Sequence, residues 1–513
     1  VGFGDAFGHE GQVYGAVSPT IAAMGEEVAA QQFTGADRAA FRAKVHRCLD
    51  TFAQMLSASH FDTTDPLTGL EVELHLVDEA GDPALKNMEA LEAIADPLFQ
   101  TELGQFNLEF NVPPRRIAGG GLTDYETGLR ASLNEAERRA AQIGAHLVMI
   151  GVLPTLRQSH MTWDSISPNP RYRLLGEQIL AARGEDLALD IDGVDHLVTT
   201  ADSILPEAAC TSFQLHVQAS PENFAAYWNA AQASAGIQLA LGANAPFLFG
   251  RQLWRETRVP LFQQATDTRS DELKAQGVRP RVWFGERWIN SVFDLFEENV
   301  RYFGALLPIV SDEDPLATLE AGGVPTLPEL RLHNGTIYRW NRQVYDVVGG
   351  VPHLRVENRV LAAGPTVVDM VANAAFYFGL VRTLAEQDRP VWSQLSFATA
   401  EENFTVGALR GIAAEMYWPG AGQVPVTELV LRRLLPMAYA GLESWGVDRS
   451  AADRYLGVIE GRCMNATNGA EWWARQWTQR RGDAAADRIA VLRAILADYR
   501  ALMHSNAPVH TWG

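Results

Sequence analysis

Gly69-Leu70-Glu71-Val72-Glu73-Leu74-His75-Leu76 alternates polar and hydrophobic side chains without a break. Successive side chains of a β-strand point to opposite faces, so Glu71, Glu73 and His75 share one face and Leu70, Val72, Leu74 and Leu76 the other. A solvated outer face ordinarily favours Thr, Ser and Lys. Glutamate is depleted in strands, and a Glu-x-Glu pair sets like charges about 7 Å apart, which repel unless a cation lies between them. The stretch predicts a strand with one face in the core and the other turned to a cation.

Three further stretches repeat the pattern: Asn107, Glu109 and Asn111; Ser212, Gln214, His216 and Gln218; and Arg355, Glu357 and Arg359. Glu71, Glu73, Glu109 and Glu357, helped by Glu102 and an imidazole or amide from the third stretch, offer oxygen-rich ligands for two or three hard cations such as Mg²⁺. A soft zinc site would use more His and Cys. Arg355 and Arg359 flank Glu357 on one face, where guanidinium groups pair with phosphate or carboxylate oxygens. Carboxylates for metal beside arginines for phosphate point to a metal-nucleotide site. His75 and the tryptophans Trp283 and Trp288 read as structural.

Composition fits this reading. The chain has 513 residues, 47% hydrophobic and 20% charged, which predicts a globular protein with one large core or two intimate ones. No run of about 18 apolar residues occurs; the stretch 235–249 is broken by Gln238, Asn244 and Pro246. A net charge of −20 argues against a nucleic-acid partner, so an anionic substrate needs a local Arg cluster or bridging metal. Cys48, Cys210 and Cys463 form neither a disulfide framework nor a zinc pattern. With no secretory leader evident at Val1 and no membrane partner indicated, a cytoplasmic location is expected. Oligomeric state is not legible.

Along the chain, residues 1–35 are rich in Gly and Ala and read as an arm. A helix follows over Phe41, Val45, Cys48, Leu49, Phe52, Met55 and Leu56, with Asp37 as its cap. A short helix is expected over Met88 to Ile94, and a strand ended by Pro113 and Pro114. Leu129, Leu133, Ala136, Ala140 and Ile143 mark another helix, leading to a strand over 146–153. Residues 155–205 read as irregular, 221–263 as helical, and helices dominate after Pro365. Gly119 to Gly121 lacks the Lys-Ser or Lys-Thr of a phosphate loop. The expected division is an arm (1–35), a catalytic domain (36–400) and a helical C-terminal region (401–513) packed on it.

Gly69-Leu-Glu-Val-Glu-Leu, then Thr101-Glu-Leu-Gly-Gln-Phe-Asn-Leu-Glu-Phe, then Arg355-Val-Glu-Asn-Arg, in that order, resemble the glutamate-cysteine ligase family, second bacterial type, within the glutamine synthetase superfamily of carboxylate-amine ligases. The stretch from Glu329 to Arg342 resembles its longer actinobacterial members. The resemblance covers about residues 66–385. It implies an α+β fold in which a curved, mainly antiparallel catalytic sheet is flanked by helices. It also implies ATP and Mg²⁺, with Mn²⁺ as a substitute, and formation of an amide between L-glutamate and L-cysteine through an acyl phosphate.

By that resemblance Glu73, Glu109 and Glu102 hold the ion nearer the amino acid, and Glu71 and Glu357 the ion nearer the phosphates. Arg359 and Arg355 contact the transferred phosphoryl group, and Arg339 and Arg342 the nucleotide phosphates. The family's third strand carries a metal-binding His where this chain has Gln214, so either Gln214 or His216 is the third-strand ligand. The alternatives are a ligase for another carboxylate or amine, a nucleotide- or metal-binding protein with weak or lost catalysis, and a glycoside hydrolase built on paired carboxylates. The last has no use for the Arg-x-Glu-x-Arg stripe.

Overall fold

The computed structural model describes residues 33–58, 60–61, 66–482 and 487–513. Nearly all of the expected N-terminal arm lies outside the described residues. Seven strands form one sheet: β1 (Thr68–Val77), β2 (Phe99–Thr101), β3 (Asn107–Arg115), β4 (His146–Val148), β5 (Ser212–Gln218), β6 (Asn341–Val348) and β7 (Val351–Ala362). Their order is β6-β7-β5-β1-β3-β2, every pair antiparallel, with β4 beside the end of β1. The sheet is curled into a half-barrel flanked by helices, as the α+β reading required.

Seven helices matter for the site: α1 (Gly35–Ser57), α2 (Gly121–Ala140), α3 (Pro170–Arg183), α4 (Leu205–Ala208), α5 (Pro221–Gly242), α6 (Val367–Ala385) and α7 (Leu435–Ser444). The hydrophobic alternates of the strands, Leu70, Val72, Leu74, Leu108, Phe213, Leu215, Val217 and Val356, are all buried in the main core. Helix α5 is buried from Phe224 to Gly242 apart from Ala226, and α6 over most of its length. A helix apolar on every side belongs inside a protein or a membrane. Among the described residues α6 alone has the length and composition to cross a membrane, and 89% of its most apolar window is buried within the protein.

Helices α6 and α7 approach at backbone contact. A Cβ on Gly379 would fall 2.2 Å from the Ala438 carbonyl oxygen, and one on Gly441 would overlap the Gly379 carbonyl. The C-terminal residues thus share the core with the sheet. Arg462 forms a buried ion pair with Asp369 on α6 at 2.8 Å, and the Tyr499 hydroxyl donates to the Met149 carbonyl at 2.7 Å.

Several local expectations are corrected. Thr34 caps α1, and Asp37 is the reciprocal partner of the capping box. Pro113 and Pro114 do not end β3, which runs to Arg115. β2 covers only Phe110 to Leu108 on the outer side, so the prolines need donate nothing there, and the pairing with β1 shifts register at their level. The strand expected over 146–153 stops at Val148. Residues 155–205 contain α3 and a two-stranded hairpin, Leu187–Asp192 with His196–Ala201. The Asn169-Pro170 pair, a side-chain cap followed by proline in the first turn, is the helix signal that the irregular reading passed over. The helical stretch expected over 221–263 breaks after Gly242 and resumes only at Arg258–Ala265.

Candidate active site

Strand pairing places the polar stripes side by side. Glu73 faces Glu109 directly, and Glu71 lies between Asn111 and Gln214. Glu357 lies between His216 and Arg342. These side chains line one cavity of about 360 Å³, together with residues from α3, α4 and the segment Gly335 to Trp340. Of the expected residues, Glu71, Glu73, Glu102, Glu109, Gln214, Arg342, Arg355, Glu357 and Arg359 line it. His216 joins the same face through Glu71 and Glu357.

Two sets of ligand atoms emerge. Glu71, His216 and Glu357 bring one ligand atom each within 4.8 Å of one another, and so do Glu73, Glu102 and Glu109. Five carboxylates and one imidazole match the hard, oxygen-preferring chemistry of Mg²⁺ or Mn²⁺. His216 Nε2 is buried without a well-directed hydrogen bond, although Glu71 Oε1 lies 3.0 Å away. The imidazole and the carboxylate meet at ion-pair distance, a separation that two ligands of one cation also adopt.

Arginines hold the first set in place. Arg342 donates to both oxygens of Glu357, at 2.6 and 3.0 Å, with both side chains buried. Arg359 Nη1 donates to Gln214 Oε1 at 2.7 Å and reaches Glu357 at 3.4 Å. Burial opposes the charge of Glu357, but Arg342, Arg359 and His216 outweigh it and hold this carboxyl well below the usual range. Glu71 is also held low; burial works against its charge, and His216 more than offsets that. The Arg359 guanidinium, though desolvated, is kept firmly protonated by Glu357, Glu73 and Glu71.

The second set is held by neutral donors. Gln100 and Asn111 donate to Glu109 at 2.6 and 2.7 Å. Glu73 accepts from the Ser212 amide at 2.6 Å and from Gln214 Nε2 at 2.8 Å. Burial first, then Glu71, raises Glu109 to about 7. Burial and the facing Glu109 push Glu102 well above the carboxylate range. A cation among the three would relieve that repulsion.

The two third-strand candidates separate cleanly. Gln214 spans the sets, its amide nitrogen on Glu73 and its amide oxygen on Arg359, so neither end is turned to an ion. His216 stands with Glu71 and Glu357. Its Nδ1 accepts from Arg355 Nε at 3.2 Å, which leaves the ring proton on Nε2. Ligation through Nε2 requires Arg355 to turn away, toward its other partners Asp346 and His353.

Arg339 is not brought to the cavity. Tyr338, Trp340 and Arg342 line it, and alternation turns Arg339 the opposite way. There it is buried against Asn299 and Glu298 and stacks over Trp283 at 4.6 Å. His75, on the Glu71 and Glu73 stripe, is fully buried against Asn107, and desolvation lowers it to about 3. The sequence reading missed Glu207, Arg171 and Tyr172, which complete the cavity wall. Their helices are short or begin at proline, and no periodic pattern marks them.

A curled antiparallel sheet bearing two carboxylate sets with an arginine between them is the arrangement expected of a carboxylate-amine ligase. Residues 67–445 match glutamate-cysteine ligase family 2, and the chain belongs to that family.

Among solved structures it is similar to a bifunctional glutathione synthetase from Pasteurella multocida, at 13% identity and TM-score 0.47, over 89% of this chain and 55% of that one. The chain thus spans about half of that protein. It is also similar to glutamate–cysteine ligase from Francisella tularensis in complex with AMP, at 12% identity and TM-score 0.46, over 88% and 96% of the two chains. A third likeness, to the ligase PafA in complex with the ubiquitin-like protein Pup, has 10% identity and TM-score 0.31, over 86% of this chain and 69% of that one. No curated protein matches the sequence.

Proposed function

We propose that the protein joins L-glutamate to L-cysteine in an ATP- and Mg²⁺-dependent reaction, giving γ-glutamylcysteine through γ-glutamyl phosphate. The observation that carries this reading is the pair of three-ligand sets on one sheet face, bridged by Gln214 and Arg359. Glu73, Glu102 and Glu109 would hold a cation beside the substrate carboxylate. Glu71, Glu357 and His216 would hold one beside the nucleotide phosphates. Such cations supply charge neutralisation and in-line orientation when bound.

The remaining work falls to the chain. Arg359 is aimed from between the sets and donates to the oxygens of the transferred phosphoryl group, where negative charge accumulates. Arg342 keeps Glu357 ionised, and Gln214 fixes Glu73 relative to Arg359. Arg355, at the margin, meets phosphate oxygens once released from His216. No side-chain nucleophile is needed: the substrate carboxylate attacks the γ-phosphorus, ADP leaves, and the amine then displaces phosphate from the acyl carbon.

The test is phosphate release with mass spectrometry of the product. Release that needs ATP, Mg²⁺, glutamate and cysteine together, with a product of γ-glutamylcysteine mass, is expected. Product from another carboxylate or amine would replace the substrate assignment. Metal-dependent ATP binding with no product across a substrate panel would leave a binding protein and overturn the proposed reaction.

A further inference from the structure

Two cavity carboxylates belong to neither three-ligand set: Asp346, which is paired with Arg331 and Arg355, and Glu207. Glu207 sits on α4, a single turn begun by Leu205 and Pro206, and enters the cavity from outside the sheet. Its electrostatic neighbours are Glu73, which opposes its charge, and Arg359, which favours it. Among the described residues no side chain donates a hydrogen bond to it, whereas Glu73, Glu109 and Glu357 each receive two or more. With no hydrogen-bonded cation among the described residues, burial lifts this carboxyl to about 7, with Arg359 opposing the shift.

A guanidinium lines the same cavity. Arg171, in the first turn of α3, lines the cavity, and its backbone amide donates to the capping Asn169 side chain at 3.0 Å. Tyr172 and Tyr338 also line it, and each lies within electrostatic reach of both Glu207 and Arg171. A carboxylate and a guanidinium flanking two phenols, beside the set assigned to the carboxylate substrate, present one anionic and one cationic contact. The free end of an amino acid joined through its side-chain carboxylate presents the complement of each.

We propose that Glu207 and Arg171 read the zwitterionic end of the carboxylate substrate, Glu207 accepting from its α-ammonium group and Arg171 donating to its α-carboxylate. The assignment rests on the ligase reading for the identity of that substrate. It makes Glu207 a specificity residue, not a metal ligand.

The test is calorimetric binding of L-glutamate, glutarate (no ammonium) and 4-aminobutyrate (no α-carboxylate) to the full chain and to E207Q and R171M, with Mg²⁺ and a non-hydrolysable ATP analogue present. The unaltered protein should prefer L-glutamate to both fragments. E207Q should weaken L-glutamate and 4-aminobutyrate about 10- to 100-fold and leave glutarate within about twofold. R171M should do the converse, weakening L-glutamate and glutarate and sparing 4-aminobutyrate. Affinity for the analogue itself should not change.

Equal loss for all three ligands, unchanged selectivity, weakened analogue binding, or no preference by the unaltered protein would overturn the proposal. The selectivity pattern without product formation would uphold this corner and sink only the proposed reaction.

Discussion

Arg342 is expected to matter to folding before it matters to chemistry. It is 6% exposed, its partner Glu357 2% exposed, and two hydrogen bonds at 2.6 and 3.0 Å join them. R342M keeps the apolar stem and takes the bidentate partner from a buried carboxylate. Removing one member of a buried pair costs about 3–5 kcal/mol. Arg359 remains 3.4 Å from Glu357, so the lower end, about 3 kcal/mol, is expected. R432A, which breaks the exposed pair with Glu428, serves as control and should cost under about 1 kcal/mol.

The pH dependence of the same variant has a definite sign. Glu357 is held below its ordinary value in the folded chain, so its stabilisation is present above the unfolded value of 4.5 and is lost as pH falls through the folded value. R342M brings that folded value up toward the ordinary range. Its loss on acidification should therefore begin at higher pH and total less. Urea unfolding followed by tryptophan fluorescence, at several pH values, reads both effects. Mg²⁺ should stabilise R342M more than the parent, because a bound cation replaces the missing charge. A free-energy change within about 1 kcal/mol of the R432A control, with the acid limb unmoved, would refute the reasoning.

Three other outcomes are expected. R359K retains the charge but loses the planar guanidinium whose Nη1 reaches both Gln214 and Glu357; kcat should fall about 100- to 1,000-fold with nucleotide affinity largely kept, and initial rates with calorimetry decide it. His333 donates from Nε2 to the Asn299 carbonyl at 3.0 Å, and burial lowers it to about 4. Its neutral folded form favours folding above 6.5 and loses that advantage between 6.5 and 4, so H333Q should flatten the pH dependence of unfolding by up to about 1.4 kcal/mol per unit in that window. Ending the chain at residue 400 removes Arg462, α7 and Tyr499 from a shared core; an insoluble or molten product by circular dichroism is expected, and a native-like melt would show that the C-terminal region is dispensable.

What the sequence made legible follows from the period of the β-strand. Two-residue alternation puts Glu71, Glu73, Glu109, His216, Glu357 and Arg359 on one face whatever surrounds them, and a carboxylate stripe violates strand preference strongly enough to announce a cation. Register and reach are not written that way. Arg339 and Arg342 read alike in sequence, yet one sits in a turnward pair of residues facing Asn299 and the other on β6 facing Glu357. Gln214 and His216 share a face, and cross-strand pairing sets Gln214 opposite Glu71 and His216 opposite Glu357, while the Glu71 carboxylate leans to His216. Glu207 was invisible because a one-turn helix carries too few residues to show a period, and Arg171 and Tyr172 because they lie in the first turn of α3, whose only sequence signal is the Asn169-Pro170 cap. The residues that build the sheet are thus readable from a repeat, whereas those that choose the substrate come from irregular segments held against it. Selectivity in this protein is for that reason best sought in the wall contributed by α3 and α4, not in the carboxylate stripes of the sheet.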